Sequence, residues 1–166
     1  VLDQVSLKAN VSSQYISALL LIASKLENGL ELSLIGKITS VPYIKMTLSL
    51  LHAIGIETRF DNNIISVKPK TSNINPQTLT VESDWSSASY FYSLIALSDV
   101  GTEITIASYK SESLQGDSVL SEIYKDFGVL TTFLDEALLL QKISNVNPVS
   151  TMHLDLSNAP DIAQTI

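Results

Sequence analysis

Four landmarks recur in this chain at a nearly constant interval, and that recurrence restricts the fold more than any other feature. Ser12-Ser13, Gly29, Gly55 and Phe60 return as Ser86-Ser87, Gly101, Gly128 and Phe133, at offsets of 74, 72, 73 and 73 residues. Self-similarity at a fixed period marks a structural unit used more than once. The expected class is therefore α/β (α+β), built from repeated strand-helix-strand-helix-hairpin units.

The first unit sets the pattern. Val5 to Ala9 alternates apolar and polar residues and reads as a strand, after which Asn10 to Ser13 turns the chain into an apolar run through Ala23. Ser12 or Ser13 caps that helix, and Tyr15, Ala18, Leu19, Ile22 and Leu26 follow the spacing of one helical face. Gly29 supplies the left-handed residue that ends it. Leu30, Leu32 and Leu34 form a half-buried strand, Gly36 to Ser40 a polar loop, and Pro42 fits the first turn of a second helix that Gly55 stops. Ile56 to Phe60 and Ile64 to Val67 are strands joined by Asp61-Asn62-Asn63, residue types that tolerate left-handed backbone.

Lys68 to Thr78 carries Pro69 and Pro76 with little periodicity and reads as a connector. The second unit follows, with a helix opened at Ser86-Ser87, a strand at Glu103 to Ile106, a helix at Asp117 to Phe127, and a hairpin of Val129 to Phe133 with Ala137 to Lys142. Met152, Leu154 and Leu156 then alternate with His153 and Asp155, and Ser157 to Ala163 begins another helix. That is the expected start of a third unit, cut short at Ile166, so the chain reads as a piece of something longer.

Composition narrows the function classes. In 166 residues, 45% hydrophobic and 16% charged content supports a real core, and the formal charge of −7 without any run of Lys and Arg argues against nucleic acid. The longest apolar run, Ala18 to Ala23, is too short for a bilayer, and no signal peptide precedes it; with no cysteine, a cytoplasmic location is expected. His52 and His153 share no metal-ligand spacing, and neither a Gly-x-Ser-x-Gly elbow nor a Gly-rich phosphate loop is present. What remains is a set of polar helix starts: Ser12-Ser13-Gln14, Thr39-Ser40 with Tyr43, Asp84 with Ser86-Ser87, Gln115-Gly116-Asp117, and Ser157-Asn158 with Asp161. Successive helices of such a repeat can aim their N-termini at one crevice, where backbone N–H groups and dipoles gather round an anion. On the residues alone, ordinary capping is the favoured account of each.

Five stretches in order add a resemblance. They are Ser12-Ser13-Gln14-Tyr15, Ser40-Val41-Pro42-Tyr43-Ile44-Lys45-Met46-Thr47, Val81 to Phe91, Leu114-Gln115-Gly116-Asp117, and Pro160-Asp161-Ile162-Ala163-Gln164-Thr165-Ile166. Together they resemble the middle of the 5-enolpyruvylshikimate-3-phosphate synthase family, across nearly the whole chain. The resemblance implies the enolpyruvyl transferase fold, an inverse α/β barrel, here as two full units plus the start of a third. Residues 1–77 would close one globular half and residues 78–166 open the other. It implies transfer of the enolpyruvyl group of phosphoenolpyruvate to the 5-hydroxyl of shikimate 3-phosphate with release of phosphate, without metal or organic cofactor.

The resemblance also assigns residues. Ser12, Ser13 and Ser40 match positions that bind the shikimate phosphate, Gln14 one that lies between the two substrates, and Tyr43 one that contacts the shikimate moiety. Asp161 matches the carboxylate that holds the ring hydroxyls and takes the proton from the attacking one. Asp84 and Ser86-Ser87 are expected to act further out, in capping and at the hinge. Val41 and Lys45 depart from the family's usual basic and acidic residues there, and Ser83 and Trp85 from its Gly and Ala. With one arginine, Arg59, the chain alone is expected to lack turnover, since phosphoenolpyruvate needs several cationic donors. The rivals are the sister family acting on UDP-N-acetylglucosamine and a non-catalytic α/β repeat module.

Overall fold

The computed structural model describes residues 1–70, 78–146 and 151–166, so most of the expected connector, 71–77, lies outside the described residues. The chain divides into two compact units, Val1–Leu79 and Thr80–Ile166.

The first unit runs β1 (Asp3–Lys8), α1 (Ser13–Ala23), β2 (Leu30–Ile35), α2 (Val41–Ala53), β3 (Thr58–Asp61) and β4 (Ile64–Val67). Its sheet has the order β1-β2-β4-β3, with β1 and β2 parallel and the other pairs antiparallel. Leu30, Leu32 and Leu34 of β2 and Ile65 and Val67 of β4 point into a core shared with Ile16, Leu20 and Ala23 of α1 and Ile44, Leu48 and Leu51 of α2.

The inward face of α1 is rotated from the one expected, although Leu19 and Leu26 still pack against the core. Tyr15 and Ile22 are 67% and 55% exposed, whereas Ile16, Leu20 and Ala23 are fully buried. The run is apolar almost all round, so both phases satisfy a helical period, and only packing on the sheet selects one. The first strand is likewise displaced, beginning at Asp3 and ending at Lys8, with Ala9 already beyond it and buried.

The second unit runs α3 (Trp85–Ala96), β5 (Glu103–Ala107), α4 (Leu120–Ile123), β6 (Val129–Leu134) and β7 (Ala137–Lys142). Its sheet, β5-β7-β6, reproduces β2-β4-β3 in order and direction. Ala88, Tyr92 and Ile95 of α3 are buried where α1 buries Ile16, Leu20 and Ala23, each 72 residues later. Leu138 and Leu140 of β7 repeat Ile65 and Val67 of β4 at an offset of 73. The repeat therefore extends to the buried side chains. Gly29, Gly55, Gly101 and Gly128 all have positive φ, which explains their recurrence.

The second compact unit, Thr80–Ile166, departs from the sequence expectation in three places. No strand precedes α3 among the described residues; Ser83 N–H instead donates to Ser108 O at 2.6 Å, just past β5. The helix expected over Asp117 to Phe127 is one turn of α4 between two 3-10 segments, Gly116–Val119 and Tyr124–Phe127. There Ser118 Oγ donates to Gln115 O and Ser121 Oγ to Ser118 O, bonds by which short polar side chains favour tight turns over a regular helix. Finally, Met152 to Leu156 forms no strand and Leu154 is 40% exposed, because no described strand pairs with it. Beyond it, Pro160–Ile162 is a single 3-10 turn.

Candidate functional site

Because β1 and β2 are parallel, the loops that follow them leave from one end of the sheet, and so α1 and α2 begin side by side. Ala9 N–H donates to Ile35 O at 2.8 Å, joining the two strand ends at that point. Topology thus brings Ser12, Ser13, Gln14, Ser40 and Tyr43 to a common edge of the first unit.

The two helix starts differ. Ser12 caps α1, its Oγ accepting from Gln14 N–H at 3.3 Å, and the Gln14 side chain is exposed. Ser40 precedes α2 in left-handed conformation, at φ 54° and ψ 37°, and its hydroxyl makes no cap bond although the residue is only 9% exposed. Neither helix carries an acid in its first turn, so no carboxylate offsets the positive ends of the dipoles. Thr47 Oγ1 lies 3.0 Å from Ser17 Oγ and 3.0 Å from Tyr43 O, which ties α2 to α1 one turn inside the edge.

Asp161 belongs to the second unit. It is exposed, and Ala159 and Ile162 on either side are buried in that unit's core. Downstream, Thr165 O accepts from Ser93 Oγ at 2.8 Å and from Tyr124 Oη at 2.7 Å, and the two hydroxyls lie 2.8 Å apart. Burial pushes the Tyr124 phenol above its ordinary value, and its bonds with Ser93 and Thr165 oppose that rise.

Asp84 is the cap of α3, its Oδ1 accepting from Ser86 N–H and Ser86 Oγ, both at 2.9 Å. Cap to cap, Ser12 matches Asp84 at an offset of 72, so the counterpart of Gln14 is Ser86. Gln115, read from the sequence as part of a helix start, instead brackets this cap: its Oε1 accepts from Trp85 N–H and its Nε2 donates to Ser83 O, both at 2.9 Å. Lys142 was not singled out by sequence at all. It continues the inward positions of Leu138 and Leu140, and its buried ammonium donates to Ala96 O at 2.6 Å and Phe127 O at 2.8 Å. A lysine in phase with two core leucines is the signal that could have found it.

The sequence profile of the EPSP synthase (3-phosphoshikimate 1-carboxyvinyltransferase) family matches residues 1–166. The chain belongs to that family. The 3-phosphoshikimate 1-carboxyvinyltransferase of Bacteroides fragilis is 43% identical over 165 residues, covering 98% of this chain and 39% of its own length. The protein of the same name from Methanospirillum hungatei is 33% identical, covering 95% and 36%. The chain thus spans under two fifths of the curated relatives it matches. EPSP synthase from Acinetobacter baumannii superposes with a TM-score of 0.69 at 20% identity, over 97% of this chain and 36% of that one. That likeness carries the expected enolpyruvyl transferase fold. The EPSP synthase match also decides between the expected family and its sister in favour of the first. No described helix is long and apolar enough to cross a membrane.

Proposed function

We propose that this chain is the central segment of a 3-phosphoshikimate 1-carboxyvinyltransferase. In this account residues 1–77 close one globular half and residues 78–166 open the other. The complete enzyme joins the enolpyruvyl group of phosphoenolpyruvate to the 5-hydroxyl of shikimate 3-phosphate, through a tetrahedral intermediate that loses inorganic phosphate.

Ser12, Ser13 and Ser40 bind the phosphate of shikimate 3-phosphate through hydroxyl and backbone N–H donors at two helix starts. Tyr43 contacts the shikimate ring, and Gln14 reaches between the two substrates. Asp161 holds the ring hydroxyls and accepts the proton of the attacking one, a task for a carboxylate within hydrogen-bond reach. The observation that most supports this is the shared edge of α1 and α2, with Ser40 spared from capping and no acid in either first turn. A phosphate placed there meets donors and no opposing charge from those turns.

The chain alone is expected to turn over no substrate. Its one arginine, Arg59, is engaged by Asp61 at 3.1 Å, and phosphoenolpyruvate needs several cationic donors for its phosphate and carboxylate. Amide shifts on titration with shikimate 3-phosphate test the binding roles. Movement at Ser12 to Gln14 and Ser40 to Tyr43 is expected; saturable movement elsewhere with these residues still would contradict the assignment.

A further inference from the structure

The formal charge of −7 hides an unequal division. Residues 1–79 carry seven Lys and Arg against five Asp and Glu, and residues 80–166 three against twelve, so the first unit is net +2 and the second −9. Several of the first unit's cations converge. Lys37, from the loop after β2, and Lys45, from α2, line a hollow of about 560 Å³ together with Val41, Phe60 and Asn62. Lys45 and Phe60 also line a second hollow of about 400 Å³, where His52 and Arg59 join them. The shared wall makes one groove between α2 and the β3–β4 hairpin.

The second hollow lies round α2 from the candidate site, whereas the first reaches the loop that ends at Ser40. Lys45, Ser49 and His52 form one stripe of the helix, at spacings of four and three residues. Thr47, which meets Ser17 of α1, sits about 200° away from Lys45 at roughly 100° per residue. The groove is also held in shape. Asn63 Nδ2 donates to Gly36 O at 3.0 Å and Leu34 N–H donates to Asn63 O at 2.8 Å, pinning the hairpin turn to the loop that carries Lys37. Asp61 lines the first hollow, where Arg59 meets it at 3.1 Å, and no described acid lines the second. Among the described residues no ion pair engages Lys37 or Lys45.

Both hollows are open surface depressions, so a ligand there is held by charge and by contact with one wall. Lysine ammonium groups bind phosphate oxygens by charge-assisted hydrogen bonds, and an aromatic face between cations accepts a carbon skeleton. We infer that this groove binds a small organic phosphate, its phosphate held by Lys37 and Lys45 and its carbon skeleton laid against Phe60. His52 receives a second polar group at the far end. The site shares no residue with the proposed shikimate site and stands or falls separately from it.

Phenyl phosphate is the probe, titrated into the 166-residue chain while amide shifts are followed. Saturable movement at Lys37, Lys45, Phe60 and Asn62 is expected, with Ser12 to Gln14 still and with tighter binding than inorganic phosphate. Lys45→Glu, at an exposed position, should weaken binding about tenfold or more, and Lys37→Glu should do the same. The inference is overturned by an absence of saturation, by equal affinity for phenyl phosphate and inorganic phosphate, or by both variants binding like the parent chain. Movement confined to Ser12 to Gln14 and Ser40 would overturn it too, while leaving the proposed function standing.

Discussion

Thr47 Oγ1 of α2 and Ser17 Oγ of α1 lie 3.0 Å apart, and this contact joins the two helices whose N-termini form the candidate site. Replacing the hydroxyl by a methyl in Thr47→Val keeps the shape and leaves Ser17 without that partner. A loss of about 1 kcal/mol is expected, read as a lower urea midpoint at unchanged slope.

Lys142 bridges the last carbonyls of α3 and of the 3-10 segment after α4 from a position only 4% exposed. Lys142→Met preserves most of the stem and removes the donors, leaving two carbonyls short of a partner. We expect a loss of roughly 2 to 3 kcal/mol in denaturant unfolding, larger than for Thr47→Val.

Gly55 and Gly128 hold the same place in the two copies, with φ of 86° and 72°, yet their surroundings differ. A Cβ on Gly55 would meet open space, whereas one on Gly128 would press on the Ser144 carbonyl. Gly55→Ala should therefore cost only the left-handed backbone strain, about 1 to 2 kcal/mol. Gly128→Ala should cost clearly more, and the two unfolding midpoints compare them directly.

Burial pushes the Tyr92 phenol from 10.0 to about 12, against the pull of its bond to Thr131. Its folded value is raised, so the stability it contributes is complete below the unfolded value near 10 and is lost as pH climbs toward 12. Unfolding followed across that window should show a steeper fall for the parent chain than for Tyr92→Phe, which has no phenol to ionise.

Much of this fold can be read from the residues, for identifiable reasons. Glycines at positive φ and the alternation in Leu30 to Leu34 and Ala137 to Lys142 are local signals, and they put the first unit's elements and both hairpins within a few residues of their place. The inward face of α1 was not legible, since its apolar residues surround the axis and tertiary packing sets the phase. The expected helix at Asp117 to Phe127 failed because serine side chains close tight turns on the backbone there. Lys37, Lys45 and Arg59 lie too far apart in sequence to register as a basic patch, and only the pairing of the hairpin against α2 gathers them. The candidate site was legible only as caps; five matched stretches, and not spacing, singled out Ser12 to Gln14, Ser40, Tyr43 and Asp161.

The role proposed for Asp161 is the most exacting part of this account. Phosphate release from shikimate 3-phosphate and phosphoenolpyruvate, measured for the complete polypeptide carrying this segment, tests it most directly. Asp161→Asn keeps the size of the side chain and removes the base, and should lower kcat by roughly 10² to 10⁴. A variant that kept kcat within about twofold of the parent enzyme would contradict it.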